Sequence, residues 1–157
     1  MKSPFDGNID KTSGDFQLRI SLENCFTYGG DGVMRVLVIP DIHLKTWIFD
    51  RAEKIIKDGK ADRAVCLMDI PDDWNMEFQI ERYKETFDRA IAFAVDYPDT
   101  LWCYGNHDVS YPWGRLESGY SPYAVRTVMS KIEELENSLK SPAQINIIHR
   151  IDNVLFS

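Results

Sequence analysis

Three short stretches of the sequence carry side chains that can bind metal ions or move protons, and each follows an apolar run. They are Asp41-Ile42-His43, Asp69 with its neighbours, and Asn106-His107-Asp108. Carboxylate, imidazole and amide groups are poor choices for a hydrophobic core. Hard oxygen ligands mixed with imidazole suit a divalent ion such as Mn, Fe or Zn, and histidine suits proton transfer. These residue types therefore predict a metal-dependent chemical site.

The spacing of these residues suggests how they would share the ions. Asp41 and His43 are separated by one residue, so both side chains can chelate one ion. Asp69 can bridge two ions through its carboxylate, and Asn106 offers a neutral oxygen to the second ion. Two ions about 3.5–4 Å apart can hold a bridging hydroxide and clamp the attacking and leaving oxygens of a phosphate ester. The sequence therefore predicts two divalent metal ions and a phosphorylated substrate.

The residues between these stretches predict alternating strands and helices. Apolar runs indicate strands at about residues 35–39, 63–68, 101–104, 145–151 and 154–156. Helical periodicity indicates helices at about residues 47–57, 77–96 and 121–139, whereas residues 109–120 predict a loop. Asp152-Asn153 is a hairpin signal between the last two strands. This order predicts an α/β fold with a largely parallel sheet flanked by helices and a C-terminal β-hairpin.

The predicted sheet brings the polar stretches together. We name them the first, second and third site segments: residues 40–45, 69–74 and 105–108. Each follows the carboxyl end of a predicted strand. In parallel strands joined by right-handed crossovers these ends meet at one edge of the sheet, where ligands bind in open α/β folds. We therefore expect the three site segments to face one another.

Composition narrows the class of protein. A length of 157 residues suggests one domain, and 18 basic against 25 acidic residues give a net charge of −7 with no basic block, which does not favour nucleic-acid binding. No apolar run approaches the roughly 20 residues of a membrane span, and no secretory signal begins the sequence. The three cysteines form no paired motif. We therefore expect reduced thiols in a cytoplasmic protein that has no membrane partner.

The three site segments resemble the first three blocks of the calcineurin-like metallophosphoesterases. The resemblance covers about residues 34–157, after an N-terminal extension of residues 1–33, and rests on Asp41-x-His43, Asp69-x-x-Asp72 and Gly105-Asn106-His107-Asp108. It implies a dinuclear phosphoesterase, phosphatase-like and hydrolysing through a metal-bridging hydroxide. Asp41 and His43 would hold one metal, Asp69 would bridge both, and Asn106 would hold the other.

The resemblance also implies the catalytic residues. His107 would stabilise the transition state or protonate the leaving group, with Asp108 as the candidate for the carboxylate that orients it. Such enzymes often use arginines near the phosphate, and Arg115, in the predicted loop after the third site segment, is the candidate for substrate binding.

The sequence departs from the family pattern at two points. Met68 stands where the family has a glycine, and the later histidine ligands are missing from a chain that has three histidines and ends at Ser157. We therefore expect the N-terminal half of a metallophosphoesterase-type α/β sandwich, truncated before those ligands, with unpaired sheet edges that favour self-association. The alternative is a non-catalytic fragment that serves as a metal-binding or association module. An aspartate-nucleophile phosphatase would need Asp-x-Asp where this chain has Asp41-x-His43.

Overall fold

The structure is a computed structural model that describes residues 18–20, 26–28, 34–114 and 117–157. Its strands are β1 (Leu18–Ile20), β2 (Phe26–Tyr28), β3 (Val36–Ile39), β4 (Arg63–Cys66), β5 (Leu101–Cys103), β6 (Ile145–Asn146), β7 (His149–Ile151) and β8 (Val154–Phe156). Its helices are α1 (Trp47–Lys57), α2 (Ile80–Asp96), α3 (Asn106–Trp113) and α4 (Val125–Ser138), with a short 3₁₀ turn at Pro142–Gln144.

The main sheet has the strand order β1-β2-β3-β4-β5-β6. Strands β3 to β6 are parallel, whereas β1 and β2 add to the β3 edge in antiparallel pairing. Strands β7 and β8 form a separate antiparallel hairpin. The α/β class, the parallel sheet with its helices and the C-terminal hairpin are therefore confirmed, and the carboxyl ends of β3, β4 and β5 share one edge.

Both faces of the parallel sheet are buried, and strand alternation assigns residues to each face. On β3, Leu37 and Ile39 join the larger core beneath the helices, while Val36 and Val38 belong to a smaller core on the opposite face. Successive side chains of a strand point to opposite faces. A sheet buried on both sides needs continuous β-branched and aliphatic runs, which is what the sequence of β3 provides.

An aromatic cluster anchors the helices to the sheet. The ring of Phe93 on α2 lies 5.5 Å from that of Phe49 on α1 and 6.4 Å from that of Trp102 on β5, and all three side chains are fully buried. The apolar stripe of α4 packs into the same core through Val128, Ile132 and Leu135. The opposite face is covered by the β7–β8 hairpin through Ile151 and Phe156.

Two predictions about local structure are wrong. Residues 106–113 form helix α3, although residues 109–120 predicted a loop. The helix begins because the Asp108 carboxylate accepts the backbone N–H of Gly105 at 3.0 Å, which caps the first turn, and it ends at Gly114, whose φ is +67°. The strand expected at residues 145–151 is divided, because β6 pairs with β5 while β7 turns away into the hairpin.

Other boundaries differ by a few residues. Helix α1 has the predicted bounds, whereas α2 begins at Ile80 and α4 at Val125, three to four residues later than the sequence suggested. The division into an extension at 1–33 and a domain at 34–157 stays a prediction; within the extension, only β1 and β2 lie among the described residues. None of the helices that the structure describes is long and apolar enough to span a membrane.

The aromatic cluster should dominate stability. Substitution Phe93→Ala removes a fully buried ring and should lower the free energy of unfolding by about 3–5 kcal/mol. Val95 on the same helix is 59% exposed, so Val95→Ala should change the free energy of unfolding by less than about 0.5 kcal/mol. Urea denaturation followed by circular dichroism measures both, and equal losses in the two variants would contradict the core assignment.

Self-association through unpaired strands stays a prediction. Three large apolar side chains near the end of the chain are exposed: Ile147, Ile148 and Leu155. Because apolar side chains beside an unpaired strand favour pairing with another chain, we expect a concentration-dependent dimer in sedimentation velocity. Substitution Leu155→Lys should shift the protein towards monomer without changing its circular dichroism. A wild-type chain that stays monomeric at high concentration would rule this out.

Candidate metal centre

Backbone hydrogen bonds fasten the first site segment to the second. The N–H groups of Ile42, His43 and Leu44 donate to the carbonyls of Met68, Asp69 and Ile70 at 2.9, 2.8 and 3.0 Å. These bonds continue the parallel pairing of β3 with β4 beyond the ends of the two strands. The relative position of the two segments is therefore set by main-chain geometry, not by flexible side chains.

Three of the predicted metal ligands converge. One ligand atom each from Asp41, His43 and Asp69 lie within 4.8 Å of one another. Asp41 is exposed, His43 is half-buried and Asp69 is buried, so the cluster opens from the protein interior towards solvent. Two carboxylates and an imidazole form a donor set that suits a divalent ion. The residues fit the metal that the sequence predicts.

Hydrogen bonding orients the imidazole of His43. Its Nδ1 lies 2.9 Å from the backbone carbonyl oxygen of Asp72. A carbonyl only accepts hydrogen bonds, so Nδ1 carries the hydrogen and Nε2 keeps its lone pair. A histidine that ligates a metal commonly has its other ring nitrogen held in this way. The structure therefore leaves Nε2 of His43 available as the ligand atom.

Gly105 leaves the space that the Asp69 carboxylate occupies. A Cβ atom built on Gly105 would lie 2.0 Å from Oδ1 of Asp69, so no larger residue fits without moving the carboxylate. The same Oδ1 accepts the backbone N–H of His107 at 2.8 Å. Burial raises the pKa of the Asp69 carboxyl, and the N–H of His107 opposes that rise. Asp69, in the second site segment, is thus clamped against the third.

Asn106 is the first residue of α3 and follows Gly105 directly. It is exposed at the edge of the sheet where Asp41, His43 and Asp69 converge. Its backbone carbonyl accepts the hydroxyl of Ser110 at 2.7 Å, a bond within the first turn of the helix. The role of its side-chain oxygen as a ligand to a second ion stays a prediction.

His107 lies beside the cluster and is held by Asp72. Its Nδ1 is 3.2 Å from Oδ2 of Asp72, and its ring stands edge-on to that of His43 with 4.8 Å between the centroids. A carboxylate accepts, so Nδ1 of His107 donates and Nε2 is directed elsewhere. The pair resembles the arrangement in which a carboxylate orients an imidazole for proton transfer.

The Asp72 carboxylate is almost fully enclosed, with 1% of its surface exposed. Its Oδ1 accepts the hydroxyls of Tyr83 at 3.2 Å and Tyr111 at 2.5 Å. Burial raises the pKa of the Asp72 carboxyl, and the donors from Tyr111, His107 and Tyr83 oppose that rise. The sequence singled out Asp72 only as part of the second block, and nothing in it marked Tyr83 or Tyr111 as partners.

Asp108 has a different place from the one that the resemblance implied. Its carboxylate is fully buried and accepts three backbone N–H groups, from Asp69 at 2.7 Å, Ile70 at 3.1 Å and Gly105 at 3.0 Å. Burial raises its pKa to about 8, repulsion from Asp69 adds to the rise, and the N–H donors oppose it. The structure thus places Asp72, and not Asp108, against His107. Arg115 lies outside the described residues.

Met68, where the family has glycine, adopts a backbone conformation that favours glycine. Its φ is +55°, and the next residue, Asp69, has φ +40°. Left-handed backbone costs an ordinary L-residue about 1–2 kcal/mol. The Met68 side chain is fully buried and belongs to the core beneath the helices.

The space at Gly105 predicts a sensitive position. Substitution Gly105→Ala should displace the Asp69 carboxylate and lower Mn²⁺ affinity by about 10–100-fold, the size of effect seen when groups that orient ligands are disturbed. Isothermal titration calorimetry measures the affinity. A Cβ at Gly59 meets nothing within 4 Å, so Gly59→Ala, strained only by its φ of +65°, is the control that should bind Mn²⁺ normally. Unchanged affinity in Gly105→Ala would reject the clamp on Asp69.

Comparison with known proteins agrees with this geometry. The model of one protein family, calcineurin-like phosphoesterase, matches residues 34–154. Searches of curated proteins and of solved structures each gave no match. The matched range holds all three site segments and more than half of the sequence. The chain therefore belongs to the calcineurin-like phosphoesterase family.

Proposed function

We propose that this protein is a phosphatase that uses two divalent metal ions to hydrolyse phosphate monoesters. The family implies a metal-dependent phosphoesterase in general. The observation that carries the finer proposal is the convergence of Asp41, His43 and Asp69, with His107 beside them. Ligands and a proton carrier at one sheet edge are what phosphate ester hydrolysis requires.

The donor set supports Mn, Fe or Zn as the ions. Asp41, His43 and Asp69 would hold the first, and Asp69 together with Asn106 would hold the second. Bound there, such ions would neutralise phosphate charge and lower the pKa of a coordinated water. The chain itself keeps these groups in register through the bonds between the first and second site segments and through the clamp on Asp69.

His107 would carry the proton for the leaving group. Its Nδ1 donates to the buried carboxylate of Asp72, so its Nε2 is the atom that can give a proton to a departing oxygen. The Asp72 carboxylate fixes the orientation of the imidazole, while the hydroxyls of Tyr83 and Tyr111 fix the carboxylate. Asp72 is therefore a positioning residue that acts through His107.

Asp69 provides the direct test. Substitution Asp69→Asn removes a charge from the residue proposed to bridge both ions. It should lower Mn²⁺-dependent hydrolysis of p-nitrophenyl phosphate by at least about 100-fold, which is more than the effect of losing a group that only orients a ligand. Asp50 is exposed and pairs with Arg89 at 2.9 Å, and exposed pairs contribute little. Asp50→Asn is thus the matched control and should retain full activity. Retained activity in Asp69→Asn would reject the bridging role.

A second candidate is a module that binds one metal ion without catalysis. It is favoured by one observation: within the part of the chain that the structure describes, a single cluster of three carboxylate or imidazole groups meets the distance required for a metal. Mn²⁺ titration and the hydrolysis assay on the 157-residue chain separate the two candidates. Hydrolysis of p-nitrophenyl phosphate supports the phosphatase, whereas Mn²⁺ binding without hydrolysis supports the module.

We also propose a cytoplasmic location. Cys66 and Cys103 are free and buried, and burial raises the pKa of the Cys103 thiol to about 11. Thiols persist in reducing compartments, while oxidising compartments favour disulfides.

A further inference from the structure

A cavity of about 260 Å³ adjoins the metal centre. His43 and His107 form the wall on the side of the metal centre, and Lys45, Asp73 and Trp74 are among the other lining residues. Pockets for drug-sized ligands span roughly 300–1,000 Å³, so this one fits a small molecule. A substrate whose phosphate reached the metal centre would place its leaving group here.

Lys45 is the one lysine or arginine among the residues that line this cavity in the described part of the chain. Its Nζ lies 3.0 Å from Oδ2 of Asp73 and 3.0 Å from the backbone carbonyl of His43. These bonds hold the ammonium group at the wall, beside a metal ligand. Lysine binds phosphate as a point charge, so Lys45 is placed to attract a phosphate that enters the cavity.

Trp74 gives the cavity an unusual apolar surface. Its side chain is 75% exposed, although tryptophan is normally buried for most of its area. Its backbone N–H donates to Oδ1 of Asp73 at 2.9 Å, so Asp73 holds the main chain of Trp74 and the ammonium of Lys45 together. A flat aromatic group lying on the indole would cover surface that water now contacts.

We propose that the cavity selects phosphate monoesters whose leaving group carries an aromatic ring. The ring would lie against Trp74, and the phosphate would lie between Lys45 and the metal centre. This inference rests on the proposed phosphatase function and names its substrate class, aryl phosphates. In the reaction, the oxygen of water bonds to phosphorus, the bond between phosphorus and the aryl oxygen breaks, and His107 gives a proton to that oxygen. One proton of the attacking water stays on the phosphate, and the other returns His107 to its protonated form. The products are a phenol and inorganic phosphate.

Binding of two inert analogues tests the proposal without relying on turnover. Phenylphosphonate and methylphosphonate share the same anionic head and differ in the ring, and neither is hydrolysed. In the 157-residue chain with Mn²⁺, calorimetry should show that phenylphosphonate binds about 3- to 10-fold more tightly than methylphosphonate. This is the gain in affinity expected from the contact between two aromatic rings. Trp74→Leu should reduce that preference below about 2-fold, and phenylphosphonate should quench tryptophan fluorescence in the wild-type chain but not in Trp74→Leu.

Trp113 is the matched control. It is 62% exposed but lines a different groove, with Tyr104 and Pro112, so Trp113→Leu should keep both the preference and the quenching. Lys45→Gln should weaken the binding of both phosphonates by a similar factor, because it removes the positive charge that contacts the phosphonate group they share. Lys45→Arg should restore most of the lost affinity.

The outcomes separate this inference from the proposed function. Equal affinity of the wild-type chain for the two phosphonates, or an unchanged preference in Trp74→Leu, overturns the aromatic subsite while leaving the phosphatase intact. If neither phosphonate binds and p-nitrophenyl phosphate is not hydrolysed, the phosphatase itself fails and the subsite fails with it. Hydrolysis without phosphonate binding overturns the subsite alone.

Discussion

A buried carboxylate with three backbone N–H partners holds the candidate site in shape. Asp108 accepts from Gly105 in the third site segment and from Asp69 and Ile70 in the second. The second segment is in turn bonded to the first through the main chain. Because a buried polar group without hydrogen-bond partners costs free energy, these three bonds stabilise the contact between the second and third segments. The position of Asp69 depends on this contact, and Asp41 and His43 are joined to Asp69 through the main chain.

A second buried carboxylate orients side chains of the candidate site instead of joining its segments. Asp72 touches His107 with one oxygen and two tyrosine hydroxyls with the other. Its own backbone carbonyl fixes His43. One residue therefore orients both histidines of the site, one through its side chain and one through its main chain. Its φ is +67°, in the left-handed region that L-residues rarely adopt.

The alternation of strands and helices was enough to predict the parallel sheet and to bring Asp41, His43 and Asp69 to one edge. Residue type and spacing do not reveal which of two nearby carboxylates faces His107, because the choice depends on how α3 turns after Gly105. That helix was missed because its first turn is stabilised by the Asp108 contact with Gly105, whereas its sequence, with Pro112 and little apolar periodicity, is typical of a loop. The cavity beside Trp74 depends on the turn around Asp73, which a linear pattern does not encode.

The two faces of the sheet are covered by different elements, so its two described cysteines lie in different cores. Cys66 faces the helices and belongs to the large core, whereas Cys103 faces the hairpin, where its thiol donates to the carbonyl of Phe156 at 3.4 Å. Lifting a single two-stranded ribbon uncovers Cys103, but Cys66 is reached only when the helical layer comes apart. Partial opening and global unfolding of this chain are therefore chemically distinguishable, since each bares a different sulfur atom.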